Sequence, residues 1–340
     1  MEALLSALID RWLDQTDPVS VIDKASISSV RDAIRMETVR TGLPSEVTDP
    51  VLVAATELAS NQLHHAGRGH FACRGIERNG VLGIELIAAD RGDGIADPSA
   101  AINGLSRTPA GLGVGLGGVL RMMDEVDIDI RIGEGTCIWA RKFVRRLPRQ
   151  RQIGIFGYPH PNEALAGDDA WFRREGDKLW LAVADGLGHG PEARRAAQSA
   201  VHALKLVPSS PHELLIDRNL ALRSTRGATL AVIAVDDSQG ELEAAVAGNV
   251  TVGVWGPSGT QRIGGTSFTL GSNSGAPKPR SERALVRSWD SIIAFTDGVS
   301  SRARMPADVD LMTAHPIGVA EAIARDFGVK HDDALVLVAR

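Results

Sequence analysis

The sequence predicts an α+β protein of two domains. Three observations carry that prediction. The chain is 340 residues long, more than one hydrophobic core usually organises. Its first half sets helix-period segments ahead of strand-period ones. Its second half is built of short apolar runs, two of them ending on an Asp-Gly pair. Each half also carries its own set of polar groups, and both sets suit phosphate chemistry.

Apolar residues make up 44% of the chain and charged residues 23%, as in ordinary globular proteins. A net charge of -5 gives no electrostatic reason to expect a nucleic-acid partner. Cys73 and Cys137 stand apart without C-x-x-C spacing. They suggest neither a zinc site nor a disulfide framework, and read as buried thiols in a reducing compartment. The N-terminal apolar stretch stops at Asp10 and Arg11, has no basic segment ahead of it and is too short to span a bilayer. A cytoplasmic protein with no membrane partner is expected.

Residues 1–20 read as an amphipathic extension with Leu4, Leu5, Leu8 and Ile9 on one helical face. A docking or dimer helix and a solvated arm both remain open. Ser26 reads as the N-cap of a helix over 26–41, stopped by Gly42-Leu-Pro44. A second helix is expected over 48–66. Residues 81–89 read as a strand ending at Asp90. Residues 126–132 alternate with period two, and Gly133-Glu-Gly135 turns them into a strand over 136–143. Residues 141–151 hold six Lys or Arg around Pro148. In an acidic chain a solvated linker is the better reading than a nucleic-acid site. It places 144–152 between a domain over 21–143 and another over 153–340. Beyond the linker, 179–184, 229–235, 291–295 and 334–339 read as buried strands, with helices near 191–206 and 317–327.

Glu57 and Asn61 lie four apart on the second helix and so share a face. A carboxamide oxygen suits Mg²⁺, and a carboxylate one turn away can orient or deprotonate an attacking hydroxyl. Asp90, at a strand end, can accept from the exocyclic amine of adenine, while Gly92 and Gly94 let the backbone approach the base. In the run Gly111-Leu-Gly-Val-Gly-Leu-Gly117, Gly111, Gly113 and Gly115 can wrap a triphosphate with backbone N–H groups before a helix begins near Gly118. The order and spacing of these pieces resemble the GHKL (Bergerat) ATP-binding fold over residues 20–143. More narrowly they resemble the RsbT-type switch kinases of the bacterial stressosome. The motifs that carry the resemblance are Ala55-Thr-Glu-Leu-Ala-Ser-Asn61, Ala66-Gly-Arg-Gly69, Asp90-Arg-Gly-Asp-Gly-Ile95, the glycine run, and Arg121-Met-Met-Asp-Glu125 leading to Gly133-Glu-Gly-Thr136. The resemblance implies an α/β sandwich that binds ATP with Mg²⁺ and phosphorylates Ser or Thr on a STAS-domain protein. It makes Glu57 the base, Asn61 the Mg²⁺ ligand, Asp90 the adenine reader and Thr136 a nucleotide-binding position. Residues 103–110 depart from the Ser-Thr-Gly-Gly stretch expected ahead of the glycine loop, with Arg107 and Pro109 in that lid segment. His64 and His65 read as helix residues rather than phospho-acceptors.

In the second half, Asp185 and Asp297 each follow a buried-strand pattern and precede Gly, and Asp168 and Asp332 add two more carboxylates. One Asp-Gly is most often a turn, but four such sites at successive strand ends are poorly explained by turns. Four carboxylates without His or Cys form a hard-ligand set, suited to two Mg²⁺ or Mn²⁺ ions that would activate water and clamp phosphoryl oxygens. Residues 151–340 resemble the SpoIIE-family, type 2C metal-dependent protein phosphatases, most nearly the RsbX type. The carriers are Ala166-Gly-Asp168, Val183-Ala-Asp-Gly-Leu-Gly-His-Gly190, Thr225-Arg-Gly-Ala228, Gly248-Asn249, Thr296-Asp-Gly-Val299 and Asp332-Asp-Ala334. The resemblance implies an αββα sandwich that hydrolyses phosphoserine or phosphothreonine. Its metal ligands would be Asp168, Asp185, the backbone of Gly186, Asp297 and Asp332, with Asp185 at the catalytic centre. Asp169 directly follows Asp168 and is a competing ligand, and Leu335 stands where many relatives place Thr. His189 reads either as an acid for the leaving group or as a packing residue.

Together the resemblances imply a bifunctional partner-switching regulator that acts on STAS-domain proteins, with a sigma-factor pathway component as a further partner. The alternative is a phosphatase whose GHKL domain only senses ATP or sequesters a partner.

Overall fold

The computed structural model describes residues 18–104, 115–148, 150–202, 210–257, 259–272, 279–305 and 314–340. The chain divides into two compact units, 1–152 and 153–340.

In the first unit, β1 (Val19–Val21) leads to α1 (Lys24–Thr41), α2 (Ser45–Asn61) and a π-helical turn, Gln62–Ala66. There follow β2 (Gly69–Arg78), β3 (Val81–Asp90), the short α3 (Pro98–Ile102), α4 (Gly115–Met122), β4 (Glu125–Arg131) and β5 (Gly135–Phe143). The strands are antiparallel in the order β1-β2-β3-β5-β4. α1 packs on β2, and α2 packs on β3 and β5. Val30 and Ile34 of α1 and Val51, Ala55 and Leu58 of α2 are buried. Their i, i+3 and i, i+4 spacing makes one apolar stripe per helix.

Asp23, not Ser26, caps α1. The Asp23 carboxylate accepts from the Ser26 N–H at 2.8 Å, and Ser26 Oγ accepts in return from the Asp23 N–H at 3.4 Å. Ser26 therefore sits inside the helix as the reciprocal member of a capping box. Of the N-terminal extension, residues 1–17 lie outside the described residues. Its end, Val19–Val21, is a strand paired to β2 rather than a continuation of a helix.

The alternation of 126–132 does not place its charged side chains in water. Every residue of β4 is buried. The charges are matched instead: Arg141 pairs with Asp127 and Glu85 at 2.8 Å each, Arg78 with Glu125 at 2.8 Å and Arg131 with Asp129 at 2.6 Å. The basic run is accordingly not one solvated feature. Arg141 and Lys142 belong to β5, with Arg141 buried. The Gln150 N–H bonds Glu125, and the Gln152 side chain bonds the Val126 carbonyl.

The second unit opens with β6 (Ile153–Tyr158), β7 (Asp168–Glu175), β8 (Lys178–Gly186), α5 (Pro191–His202) and α6 (Pro211–Ala221). Then come β9 (Ala228–Asp236), β10 (Glu241–Ala247), β11 (Thr251–Gly256), β12 (Gly259–Ile263), β13 (Ser281–Leu285) and β14 (Ser291–Phe295). α7 (Pro316–Phe327) and β15 (Ala334–Ala339) complete it. One antiparallel sheet has the order β6-β15-β14-β11-β12 and the other β13-β10-β9-β8-β7. Ile155, Val252, Ile292 and Leu337 of the first sheet meet Leu181, Val183, Ile233 and Leu242 of the second in the main core. Ala197 and Ala200 of α5 and Leu215 of α6 cover the outer face of the second sheet at Trp180, Ala182 and Leu230. α7 lies on β6 and β15. The unit is an αββα sandwich.

Both cysteines are buried, and burial pushes the Cys73 thiol up to about 12 and Cys137 well above its usual value. A thiol in that state holds almost no thiolate near neutral pH. Native protein at pH 8 should show no rapid reaction with an aromatic disulfide reagent, and both thiols should react after denaturation. Fast native labelling of either would contradict this burial.

Candidate functional site

Each unit holds a cavity, built in a different way. In the first, α2 and the turn after it present Glu57, Asn61, Gln62 and His65 to a cavity of about 940 Å³. Asp90, Gly92, Gly94, Gly115 and Thr136 line the same space. Asp90 ends β3, and its Oδ1 accepts from the Gly92 N–H at 2.9 Å and the Thr136 N–H at 3.3 Å. Desolvation nonetheless raises its carboxyl above the usual range. Gly135 makes this geometry possible. It has φ +133, and a Cβ there would lie 2.1 Å from the Asp90 carbonyl, so only glycine lets β5 start close enough for Thr136 to reach Asp90. Glu57 is 4% exposed, and its Oε2 has no hydrogen-bond partner. Gly111, Gly113, Arg107 and Pro109 lie outside the described residues. His64 and His65 fall in the π-helical turn.

In the second unit, Asp185, Asp297 and Asp332 line one cleft of about 830 Å³. Asp168 opens β7 and is the cross-strand partner of Asp185 on β8. Asp168 does not line the cleft and is 2% exposed. Asp297 follows β14 and Asp332 precedes β15, its sheet neighbour. Burial, followed by the Asp297 and Asp332 charges, pushes Asp185 up to about 8. Burial and then Asp185 raise Asp168 well above the usual carboxylate range. Desolvation and then Asp332 raise Asp297. Among the described residues none of these carboxylates forms an ion pair. No group of three or more His, Cys, Asp or Glu is drawn into a closed coordination set among those residues.

Several residues that the sequence reading gave no role position these carboxylates. Thr296 Oγ1 donates to Asp168 at 2.7 Å and accepts from the Leu335 N–H at 3.0 Å. Asn249 Nδ2 donates to Asp297 at 2.6 Å. Asp333 accepts from the N–H groups of His160 at 2.5 Å and Gly167 at 2.8 Å, tying two loops together. Arg194, buried on α5, donates to the carbonyls of Ala166 and Asp168 at 3.2 Å each. The available signals were Thr296 and Asn249 flanking the Asp-Gly and Gly-Asn turns, and the doubled acid at Asp332-Asp333.

The Asp-Gly glycines allow close packing, Gly298 within a turn closed by the Val299 N–H on the Thr296 carbonyl at 3.0 Å. A Cβ on Gly186 would lie 1.9 Å from the Ala193 carbonyl and one on Gly298 1.6 Å from the Asp333 carbonyl. Gly186 lies at the end of β8 and does not line the cleft. Asp169 does not share the side of Asp168, because neighbours on a strand face opposite ways; its Oδ1 accepts from the Ala170 N–H. His189 stands exposed at the cleft, its Nδ1 2.6 Å from Glu163 and its ring stacked on His160 at 4.9 Å.

Comparison with known proteins agrees with this division. Histidine kinase-like ATPase domains match residues 21–142, and stage II sporulation protein E (SpoIIE) matches residues 175–340. The serine/threonine-protein kinase RsbT of Bacillus subtilis (strain 168) is 39% identical over 95 residues, 28% of this chain and 71% of RsbT. The phosphoserine phosphatase RsbX of the same organism is 28% identical over 154 residues, 44% of this chain and 75% of RsbX. A solved chain described under "The bacterial stressosome: a modular system that has been adapted to control secondary messenger signaling" is 28% identical with a TM-score of 0.52, covering 56% of this chain and 100% of that one. Through its match to RsbT the chain belongs to the histidine kinase-like ATPase family. Its first unit is an RsbT-like histidine kinase-like ATPase domain, and its second is an RsbX-like SpoIIE domain fused to it.

Asp333→Ala should leave the His160 and Gly167 N–H groups unpaired. The expected cost is about 1–3 kcal/mol per group, read as a lower urea midpoint. An unchanged midpoint would show that the two loops do not depend on Asp333.

Proposed function

We propose that this chain is a bifunctional partner-switching regulator. Its second unit removes phosphate from phosphoserine or phosphothreonine on a STAS-domain protein, and its first unit uses ATP to phosphorylate such a protein. The observation that carries the reading is the acidic cleft. Asp168 and Asp185 face each other across two strands, Asp297 and Asp332 join Asp185 at the cleft, and among the described residues no Lys or Arg lines it. An all-oxygen, strongly anionic donor set of this kind fits two Mg²⁺ or Mn²⁺ ions. Asp168, Asp185, Asp297, Asp332 and the Gly186 carbonyl would hold them. When bound, such ions supply positive charge to the phosphoryl oxygens and lower the pKa of the attacking water. The chain's own part is orientation. Thr296 and Asn249 hold the carboxylates of Asp168 and Asp297, and the cleft walls admit a phosphorylated side chain.

In the first unit, Asn61 would hold Mg²⁺ and Asp90 would accept from the adenine amine. Gly92, Gly94, Gly115 and Thr136 would bring backbone groups against the nucleotide, with Gly111 and Gly113 of the glycine run. Glu57, one turn from Asn61 and lacking a partner for Oε2, takes the proton of the incoming serine or threonine hydroxyl as its oxygen attacks the terminal phosphate. The serine/threonine-protein kinase and phosphoserine phosphatase relatives support opposed activities on one chain. A sigma-factor pathway component as a further partner and a cytoplasmic location belong to the same reading. Among the described residues no helix is long and apolar enough to cross a membrane.

Asp185→Asn and Asp297→Asn should each abolish hydrolysis of a phosphoserine STAS substrate with Mn²⁺ present while leaving the circular-dichroism spectrum unchanged. An amide cannot supply the charge that two divalent ions require. Full activity in both variants would remove the phosphatase assignment of this cleft.

In an Asp185→Asn background, where product is not erased, Glu57→Ala should bind ATP yet lose about 10²–10⁴-fold in transfer of labelled phosphate to the STAS protein. If the Asp185→Asn protein itself transfers no phosphate to any STAS protein, the kinase half of the proposal falls.

A further inference from the structure

Gln62 lines the cavity of the first unit and is fixed in one orientation, which leaves its amide oxygen as a buried acceptor without a partner. Its Nε2 donates to the His70 carbonyl at 2.9 Å and the Ala89 carbonyl at 3.0 Å. Both amide hydrogens are therefore used. A flipped amide would set Oε1 against two carbonyl oxygens, so Oε1 is the acceptor left over. The side chain is 2% exposed, and Oε1 has no hydrogen-bond partner. Buried acceptors are rarely left in that state. The amide also sits next to Asp90. Ala89 precedes Asp90 in β3, and the β2–β3 register pairs His70 with Ala89 and Gly69 with Asp90. Gly69 leaves the space for it, since a Cβ there would lie 2.5 Å from Gln62 Cδ. Gln62 and Asp90 line one cavity.

We propose that Gln62 is a second specificity-determining contact to the base. Its Oε1 accepts one hydrogen of the adenine 6-amino group while Asp90 accepts the other. The proposal rests on the ATP reading of this cavity. An amine at position 6 has two hydrogens, and two neighbouring acceptors match both. Guanine carries an oxygen at that position, which would meet Oε1 acceptor to acceptor. The pair thus selects adenine by attraction and rejects guanine by repulsion.

The test uses calorimetric binding to the full chain with two probes, ATP and purine riboside triphosphate, which lacks the 6-amino group. Gln62→Met keeps the length and removes the acceptor. ATP should bind roughly tenfold more weakly to the variant, while the analogue should bind wild type and variant within about twofold. Equal losses on both nucleotides would overturn the proposal, because Gln62 would then merely shape the cavity; so would an unchanged ATP affinity. Should Gln62→Met not fold, wild-type protein still decides the matter. N6-methyl-ATP keeps one amine hydrogen, and binding as tight as that of ATP would overturn the paired-acceptor arrangement. Wild type that binds neither ATP nor the analogue would instead remove the ATP reading itself, a separate result visible before any variant is made.

Discussion

The second unit is organised around a repulsion. Asp168 and Asp185 are cross-strand partners, a placement in which like charges normally oppose strand pairing. Burial strengthens the conflict, because a carboxylate loses its hydration and the local field is poorly screened. The fold tolerates the pair by fixing its surroundings. Thr296 bonds Asp168, Arg194 bonds the backbone on either side of Gly167, and Asp333 holds the Gly167 N–H. The hairpin of β7 and β8 is carried by ordinary apolar packing of Leu181 and Val183. The paired carboxylates are thus held in place by neighbouring hydrogen bonds on a stable apolar scaffold.

Close backbone approach is the second constraint. The Asp-Gly pairs resemble turn signals in one dimension. Gly186 lies under the Ala193 carbonyl and Gly298 under the Asp333 carbonyl, so each glycine lets a neighbouring segment lie directly on the strand end that carries the aspartate. The first unit uses the same device at Gly135, where β5 begins beside Asp90. In both units a glycine's close approach sets the backbone next to an aspartate at a strand end. In the first unit, Glu57 and Gln62 at the cavity each hold a buried oxygen without a hydrogen-bond partner.

Much of the scaffold was legible in the sequence. The helix stop at Gly42, the strand ending at Asp90 and the apolar runs of β8, β9, β14 and β15 follow from periodicity and glycine placement. The misses have physical causes. β2 alternates weakly, and β7 carries Asp168, Asp169, Arg173, Arg174 and Glu175, so neither reads as apolar. β12 and β13 are largely exposed, and their neighbours rather than their composition make them strands. The helix cap was misplaced because Asp23 and Ser26 are both cap formers, and only their mutual bonds decide which one lies outside the helix.

By itself the sequence determined the local chemistry: two units, a carboxylate and a carboxamide one helical turn apart, and aspartates at strand ends. These depend on residue type and short spacing, which the chain carries along its length. Tertiary structure alone decided which groups meet. Asp127 and Arg141 lie in a strand pattern that predicts solvent contact, yet they are buried as partners across β4 and β5. Thr296 reaches Asp168 from 128 residues away, and Gln62 reaches Ala89 from 27. Such contacts depend on strand order and register, which arise from the packing of the whole domain and leave no local pattern to read.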